Sequence, residues 1–209
     1  MHPEHLKQAL IDNARSLFLR GYAFGTAGNI SCREDDAIYC TPTGSSLGEL
    51  RSQDISVCDL DGNAKSGPKP TKELPLHLAA YRARPDWRAV VHLHSAHATA
   101  LSCLNDLNLQ DALPHFTPYY AMRVPSLPVI GYYPPGDVRL AIELGKLALT
   151  TPAMLMRNHG SVAAGKSLLE ASALAEEIEE TARLFFLLGD RGRVLTAAEV
   201  ADLRGRGKA

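Results

Sequence analysis

The sequence lacks the features that mark several large classes of protein. Its 209 residues carry a formal net charge of −1, which gives no sign of a surface for nucleic acid or for a membrane. Neither a GxGxxG motif nor a Walker A motif is present, so we expect no dinucleotide fold and no P-loop. No repeat, low-complexity stretch or linker divides the chain, and its length predicts one domain over residues 1–209.

Cysteine is too sparse and too scattered for a disulfide framework. Cys32, Cys40, Cys58 and Cys103 form no CxxC pair, so we expect buried or half-buried free thiols in a reducing compartment. Residues 1–20 are polar, have the periodicity of a helix and lack the continuous apolar core of a signal peptide or a membrane anchor. Together these features predict a cytoplasmic protein.

Helical and strand patterns are mixed along the chain. Helical spacing is found at residues 6–18, 73–84, 96–104, 137–149 and 167–188. Short strands are predicted at residues 29–33, 38–41, 55–59, 89–94, 153–156 and 161–164. Residues 110–133 are rich in proline and aromatics and are predicted to form an irregular loop region. Because strands and helices do not alternate strictly, the pattern favours an α/β sandwich around a mainly antiparallel sheet.

Two histidines separated by one residue are the first sign of chemistry. On a strand His92 and His94 point to the same face and can reach one ion, while Leu93 points into the core. His159 lies in a tight turn after an apolar strand, and Glu73 begins a predicted helix. Three histidines beside a carboxylate, with one position left open, are typical of a catalytic zinc site. The sequence therefore predicts a metal held by these histidines, with Glu73 next to it.

Each of these residues also has a simpler explanation when it is taken alone. The paired histidines could be ordinary core residues, His159 a turn residue and Glu73 a helix cap. The other histidines in this part of the chain, His77, His97 and His115, lack comparable placement. We expect them to be packing or surface residues, with His97 the best candidate of the three to contact a metal ligand.

Two loops, called the anion loops below, have the composition of a phosphate site. Residues 25–29 (GTAGN) and residues 41–46 (TPTGSS) combine small residues with hydroxyl and amide groups. Small residues let backbone N–H groups approach an anion, and the hydroxyls add donors. Either segment alone is more often a plain loop. Together with Thr71 and Lys72, which directly precede Glu73, they predict a small phosphorylated ligand.

In this order, the motifs resemble those of the class II aldolase and adducin family. The resemblance extends from Gly25 to about Leu188. Its motifs are Gly28-Asn29-Ser31, Thr41-Pro42-Thr43-Gly44, Lys69-Pro70-Thr71-Lys72-Glu73, His92-Leu93-His94 and Asn158-His159-Gly160. The resemblance implies a three-layer α/β/α sandwich that assembles as a homotetramer with active sites between subunits.

The resemblance also implies the metal and its ligands. It implies one Zn²⁺ per subunit bound by His92, His94 and His159, although three histidines also accept Mn²⁺ or Co²⁺. Glu73 is the expected acid/base, and it is also expected to bind the metal when no substrate is present. A tyrosine that reaches the site of a neighbouring subunit is expected at Tyr119 or Tyr120.

One departure from the family pattern lies in the expected phosphate site. The implied phosphate-binding positions are Thr26, Gly28, Asn29, Thr43, Gly44 and Thr71. Sugar-phosphate aldolases usually carry two serines before the catalytic glutamate, where this chain has Thr71 and Lys72. The ammonium group of Lys72 would suit a substrate with more negative charge than a neutral ketose phosphate.

Four stretches indicate which activity of the family to expect. Residues 41–48, 69–73, 91–104 (VHLHSAHATALSCL) and 116–123 (FTPYYAMR) are most similar to members that decarboxylate 3-oxo-tetronate 4-phosphates. The implied reaction is a zinc-dependent carbon–carbon lyase step that gives dihydroxyacetone phosphate and CO₂ through a metal-stabilised enediolate. The alternatives are a class II aldolase for fuculose-like phosphates, a pentulose-phosphate 4-epimerase and a non-catalytic adducin-like module. The module is disfavoured because Glu73 and the three histidines are all present.

Overall fold

Eight strands form one sheet in the computed structural model, which describes residues 3–206. Residues 1–2 and 207–209, which the predicted single domain includes, lie outside the described part. The strands are β1 (Asn29–Glu34), β2 (Ala37–Cys40), β3 (Ser56–Asp59), β4 (Ala64–Ser66), β5 (Ala89–Leu93), β6 (Val129–Ile130), β7 (Ala153–Met156) and β8 (Gly160–Gly165). Their order is β4-β3-β2-β1-β5-β8-β7-β6. Of the neighbouring pairs, β6 and β7 are parallel and the others antiparallel, which confirms the mainly antiparallel sheet.

Helices cover both faces of this sheet. They are α1 (Pro3–Leu19), α2 (Leu74–Ala83), α3 (Ala96–Ser102), α4 (Pro118–Arg123), α5 (Val138–Leu147), α6 (Leu168–Leu188) and α7 (Ala197–Arg206), with 3₁₀ turns at Ser52–Asp54 and Gly189–Arg191. One buried cluster joins the sheet to α1, α3, α4 and α6. A second cluster joins the opposite face to α2 and α5. The three-layer α/β/α arrangement is therefore confirmed. Within residues 3–206, every helix is too short or too polar to span a bilayer.

Successive side chains of β5 point alternately to the two helical layers. Val91 and Leu93 lie in the cluster with α1, α3 and α6, whereas Val90 lies in the cluster with α2 and α5. Because successive side chains of a strand point to opposite faces, His92 shares the face of Val90, under α2. In the antiparallel neighbour β1, Asn29 lies directly opposite His92. The centre of the sheet thus presents polar groups to α2.

The chain differs from the sequence-based prediction mainly near its C-terminus. The region 110–133, predicted to be an irregular loop, contains α4 and β6. Helix α7 was not predicted, although a capping box marks its start. The amide of Thr196 donates to Glu199 Oε2 at 2.8 Å, and the amide of Glu199 donates to Thr196 Oγ1 at 3.3 Å. From α7 the Arg204 guanidinium donates to the carbonyls of Ala121 and Pro125, both at 2.9 Å, and so holds the end of α4.

Candidate metal centre

His92 is held in one tautomer by the neighbouring strand. It is fully buried, and its Nδ1 lies 2.9 Å from the backbone carbonyl oxygen of Ser161 in β8. A carbonyl oxygen only accepts hydrogen bonds, so Nδ1 carries the proton and Nε2 is left to face the site. His94 follows the end of β5, and its Nε2 lies 2.8 Å from Nε2 of His92. The two predicted ligands therefore point at the same place.

The turn between β7 and β8 brings His159 to this pair. Its ring centroid lies 4.7 Å from that of His94 and 4.9 Å from that of His92. Asn158 adopts the left-handed backbone conformation, with φ of 53°. A Cβ on Gly160 would overlap the backbone carbonyl of Leu93, so only glycine lets the turn approach β5 this closely.

Glu73 completes the group from the N-cap position of α2. Its side chain is nearly buried, with Oε2 3.2 Å from Nε2 of His92 and Oε1 3.3 Å from Nε2 of His159. Asn29 donates a hydrogen bond from Nδ2 to Oε2 at 2.7 Å. One ligand atom each from Glu73, His92, His94 and His159, the carboxylate–histidine cluster, lie within 4.8 Å of one another.

The cluster has the properties of a site for a divalent metal ion. Three imidazoles and one carboxylate are donors that such ions accept, and His92 is already in the tautomer that presents Nε2. Glu73 Oε1 is buried and makes no hydrogen bond within residues 3–206, although buried polar atoms are nearly always paired. A cation at this position would satisfy that oxygen and the converging nitrogens.

The charges inside the cluster depend on one another. Burial disfavours the Glu73 carboxylate, but the positive charge of His92 and hydrogen bonds from His92 and Asn29 hold its pKa below the ordinary value. Burial also acts against the charge on His92, yet the carboxylate raises the pKa of His92. The metal-free ring therefore favours a proton on Nε2 as well as on Nδ1, and a bound cation would take the place of the Nε2 proton. Burial and the charge on His92 lower the pKa of His94 to about 3 and that of His159 to about 4. These two rings are therefore neutral and keep lone pairs for a metal.

A cavity of about 270 Å³ opens beside the cluster. It is lined by Thr26, Ala27, Gly28, Asn29, Pro42, Thr43, Gly44, Thr71, Lys72, Glu73, His94, Pro135 and His159. The structure thus brings together every residue predicted for phosphate binding. The amide of Thr43 donates to the Lys69 carbonyl at 3.1 Å, which leaves the Thr43 hydroxyl as its contribution to the cavity. Pro135, from the loop before α5, was not predicted.

The structure separates the two tyrosines that the sequence left as alternatives. Tyr120 is fully buried, and its ring packs 5.4 Å from that of His115. Tyr119 is 62% exposed on the surface of α4. Neither lines the cavity of its own chain. A hydroxyl enclosed in the core cannot be offered to a neighbouring subunit, so Tyr120 is a packing residue and Tyr119 is the candidate that stays accessible.

Two other histidines differ from the sequence-based expectation. The sequence makes His97 the candidate for contact with a metal ligand, but its Nδ1 pairs instead with Glu179 of α6 at 2.8 Å. His77 was expected to be a packing or surface residue, and it is fully buried with Nε2 2.6 Å from Asn29 Oδ1. His77 thus contacts the residue that binds Glu73. The feature of the sequence that points to this contact is the spacing of four residues between Glu73 and His77, which places both side chains on one stripe of α2.

Comparison with known proteins shows the family of this chain. Residues 8–186 match the family described as Class II Aldolase and Adducin N-terminal domain. The chain belongs to the class II aldolase family. A 3-oxo-tetronate 4-phosphate decarboxylase of Haemophilus influenzae is 50% identical to it over 204 residues, which cover 97% of this chain and 97% of that protein. An L-fuculose phosphate aldolase of Methanocaldococcus jannaschii is 40% identical over 87% of this chain and 96% of that protein.

Solved structures of class II aldolase relatives have the same fold. The crystal structure of YgbL from Escherichia coli superimposes with a TM-score of 0.95 at 48% identity, covering 98% of this chain and all of that one. An L-fuculose 1-phosphate aldolase superimposes with a TM-score of 0.88 at 30% identity, covering 98% of this chain and 97% of that one. The predicted family and fold class are therefore confirmed.

Proposed function

We propose that this class II aldolase-family protein is a lyase that converts a 3-oxo-tetronate 4-phosphate into dihydroxyacetone phosphate and CO₂. The observation that carries the proposal is one cavity that joins the carboxylate–histidine cluster to the anion loops and Lys72. The proposal is supported by the decarboxylases that share about half of their residues with this chain over nearly its full length.

We propose that the metal is Zn²⁺, one ion per subunit, bound by His92, His94 and His159. When bound, such an ion acts as a Lewis acid that stabilises negative charge on the substrate's ketone oxygen. The tautomer imposed by Ser161 and the neutral state of His94 and His159 prepare the three nitrogens for this role. Because Oε1 of Glu73 has no hydrogen bond to the described residues, it is the carboxylate oxygen that would be available to the substrate.

The anion loops would orient the substrate from its phosphate end. We propose that the hydroxyls of Thr26, Thr43 and Thr71 and the backbone of Gly28 and Gly44 bind the phosphate, with the Asn29 amide beside them. Gly44 has φ of 72°, which aims its neighbouring amides in a way that most residues do not permit. Lys72 adds a cation at the rim, where the phosphate and the carboxylate of the substrate both bring negative charge.

Glu73 would handle the proton of the reaction. Loss of CO₂ breaks the C1–C2 bond, and its electron pair passes into the enediolate over C2, C3 and the ketone oxygen. Protonation at C2 then gives dihydroxyacetone phosphate, so one proton is consumed for each CO₂ released. We propose that Glu73 passes this proton to C2, directly or through water, and recovers it from solvent.

We further propose a homotetramer whose active sites lie between subunits. Tyr119 is exposed and lies outside the cavity of its own chain. In the proposed assembly, each subunit would therefore place its Tyr119 at the active site of a neighbouring subunit. A cytoplasmic location is proposed as well, because all four cysteines are free thiols. The mass of the particle in solution tests the assembly.

The decisive experiment supplies zinc-loaded protein with a 3-oxo-tetronate 4-phosphate. We expect CO₂ and dihydroxyacetone phosphate in equal amounts, measured by labelled CO₂ and by coupled reduction of the ketone. L-Fuculose 1-phosphate serves as the comparison substrate, because aldolases of that kind are also relatives. Cleavage of the fuculose phosphate without any CO₂ from the acid would overturn the proposed reaction.

A further inference from the structure

A buried chain of hydrogen bonds runs from Glu73 into the core between α2 and β1. Asn29 Nδ2 is 2.7 Å from Glu73 Oε2, and Asn29 Oδ1 is 2.6 Å from His77 Nε2. Beyond the ring, His77 Nδ1 is 2.7 Å from Ser31 Oγ, which is 2.7 Å from the Tyr81 hydroxyl. Ser31, His77 and Tyr81 are fully buried, so water does not compete for these bonds.

This arrangement follows from two simple periodicities. Glu73, His77 and Tyr81 are spaced by four residues and therefore lie on one stripe of α2. Asn29 and Ser31 are spaced by two residues and therefore point to one face of β1. The stripe lies over that face, so the polar groups interleave.

The protonation states of Glu73 at one end of this series of hydrogen bonds and of Tyr81 at the other determine which group donates in each bond. An ionised carboxylate only accepts, so Asn29 must present Nδ2 to Glu73 and Oδ1 to His77. His77 Nε2 must then carry a proton, and because burial lowers the pKa of His77 to about 3, the ring is neutral and its Nδ1 accepts. Ser31 therefore donates to Nδ1. Tyr81, whose pKa burial raises well above its ordinary value, keeps its proton and donates to Ser31.

We propose that His77 is a positioning residue that acts on Glu73 through Asn29. Its Nε2–H group fixes the orientation of the Asn29 amide, which holds Oε2 of Glu73 and leaves Oε1 for the reacting substrate. An amide in the opposite orientation would bring its oxygen against the carboxylate, and the two would repel each other. The proposal rests on the proposed function in taking Glu73 as the group that handles the proton.

Two substitutions of His77 by uncharged amides distinguish a role in positioning Glu73 from a role in packing alone. In His77→Gln the side-chain amide reaches the place of ring Nε2 and can donate to Asn29 Oδ1. In His77→Asn the shorter amide reaches only the place of ring Nδ1, and Asn29 Oδ1 loses its donor. Both variants lose the ring, so we expect similar losses of thermal stability from the two.

We expect His77→Asn to lower kcat by about 10- to 100-fold, the usual effect of removing a partner that orients a catalytic group. His77→Gln should stay close to the wild-type protein, with one metal bound per subunit in both variants. Equal losses of kcat in the two variants, in proportion to their losses of stability, would overturn the proposal.

Neutron diffraction from deuterated crystals tests the same proposal without substrate. We expect deuterium on Nε2 of His77 and none on Nδ1, with both amide deuterons of Asn29 on the side of Glu73. Deuterium on Nδ1 of His77 would overturn the inferred direction. If the wild-type protein releases no CO₂, the proposed function fails, whereas the neutron result still decides the orientation of Asn29.

Discussion

Lys72 is the charged residue that distinguishes the rim of this cavity from the usual family pattern. It is exposed, and together with Thr71 it precedes the N-cap of α2. Because a substrate with both a phosphate and a carboxylate gains more from this ammonium group than a neutral ketose phosphate does, Lys72 should affect the choice between them.

We expect Lys72→Ser to lower kcat/KM for a 3-oxo-tetronate 4-phosphate by about tenfold, or about 1.4 kcal/mol. The loss for L-fuculose 1-phosphate should be smaller. Lys69→Ser is the matched control, because Lys69 has the same charge three residues away and does not line the cavity. Steady-state kinetics with both substrates would refute this role of Lys72 if the preference stayed unchanged.

The two adjacent tyrosines form a natural pair of variants. Tyr119 is exposed, whereas the buried hydroxyl of Tyr120 makes no hydrogen bond to any residue that the structure describes. We expect Tyr119→Phe to lower kcat by about 100-fold if its hydroxyl takes part in proton transfer in a neighbouring site. Tyr120→Phe should keep both activity and stability, because it removes a hydroxyl that has no partner. Equal kinetics for the two variants would remove Tyr119 from the mechanism.

His77 should also affect stability in acid. Burial lowers its pKa to about 3 in the folded protein, against 6.5 as the ordinary value. Between these pH values the unfolded chain binds a proton that the folded chain does not. The contribution of a neutral His77 to stability is therefore complete above about pH 6.5 and is lost as the pH falls toward 3.

We expect His77→Gln to make the fall in unfolding free energy shallower by up to about 1.4 kcal/mol per pH unit over this window. Denaturant unfolding of metal-free protein at constant concentration measures the slope. His5→Gln serves as a control because His5 is exposed. A slope that His77→Gln leaves unchanged would contradict a neutral, buried ring.

At the scale of elements, the turn into β8 sets how closely two of the proposed metal ligands, His92 and His159, approach each other. Gly160→Ala would push a methyl group against the Leu93 carbonyl, and backbone at that point cannot move without moving His92 or His159. We expect a loss of about 1–3 kcal/mol in stability, as for other overpacked sites, together with weaker metal binding. Chemical denaturation and titration with Zn²⁺ measure the two effects.

Gly131→Ala is the control for this substitution. A Cβ on Gly131 would meet no atom within 4 Å, and its φ is outside the left-handed region. We expect it to leave stability and metal affinity unchanged. If Gly160→Ala behaved in the same way, the close approach of the turn to β5 would have no role in forming the site.

The elements that could be predicted from the sequence are those whose apolar residues recur with a clear helical or strand period. Strand β5 and its two histidines follow from alternation, and helix α6 from a long helical stripe. Helix α4 has 6 residues and strand β6 has 2, which is too short for either period to show. Strand β6 is also defined by parallel pairing with β7, about 25 residues further on, and local sequence does not contain that contact.

The same limit explains what was missed in the site. The clustering of the three histidines was predictable because His92 and His94 are separated by one residue of a strand and His159 lies in a recognisable turn. The role proposed for His77 depends on Asn29, 48 residues earlier in the chain. The local sequence shows only a polar residue at a helix position that faces the core, and that pattern predicts a packing residue. Tyr120 could not be separated from Tyr119, because the two are adjacent in a short helix and their burial depends on α7.

At the scale of the whole molecule, a bound metal would link the parts of the fold that lie on either side of the central strand β5. We propose one domain over residues 1–209, since α1 and α6, far apart in the chain, share one core layer. Ligands from α2, β5 and the β7–β8 turn then link both halves of the sheet. A metal that binds only the folded chain should therefore stabilise all of it.

We expect removal of metal by a chelator to lower Tm, and Zn²⁺ to restore it. At a free ion concentration 100 times Kd the stabilisation is about 2.7 kcal/mol. His94→Ala should abolish the shift, whereas His5→Gln should keep it. Elemental analysis of the untreated protein identifies the ion and its ratio to the chain. A Tm that does not respond to chelator or to divalent ions would contradict the metal centre.

The position of β5 has a consequence for how this protein could change its substrate over evolution. The imidazoles lie on or beside the inner strands and are buried or half-buried, so each replacement changes contacts inside the fold, whereas Lys72 and Pro135 lie in loops at the cavity rim. Mutational drift can therefore alter the rim while the reactive centre stays intact. A library of variants randomised at these two positions would test whether the protein can accept other phosphorylated acids and sugars while the carboxylate–histidine cluster stays the same.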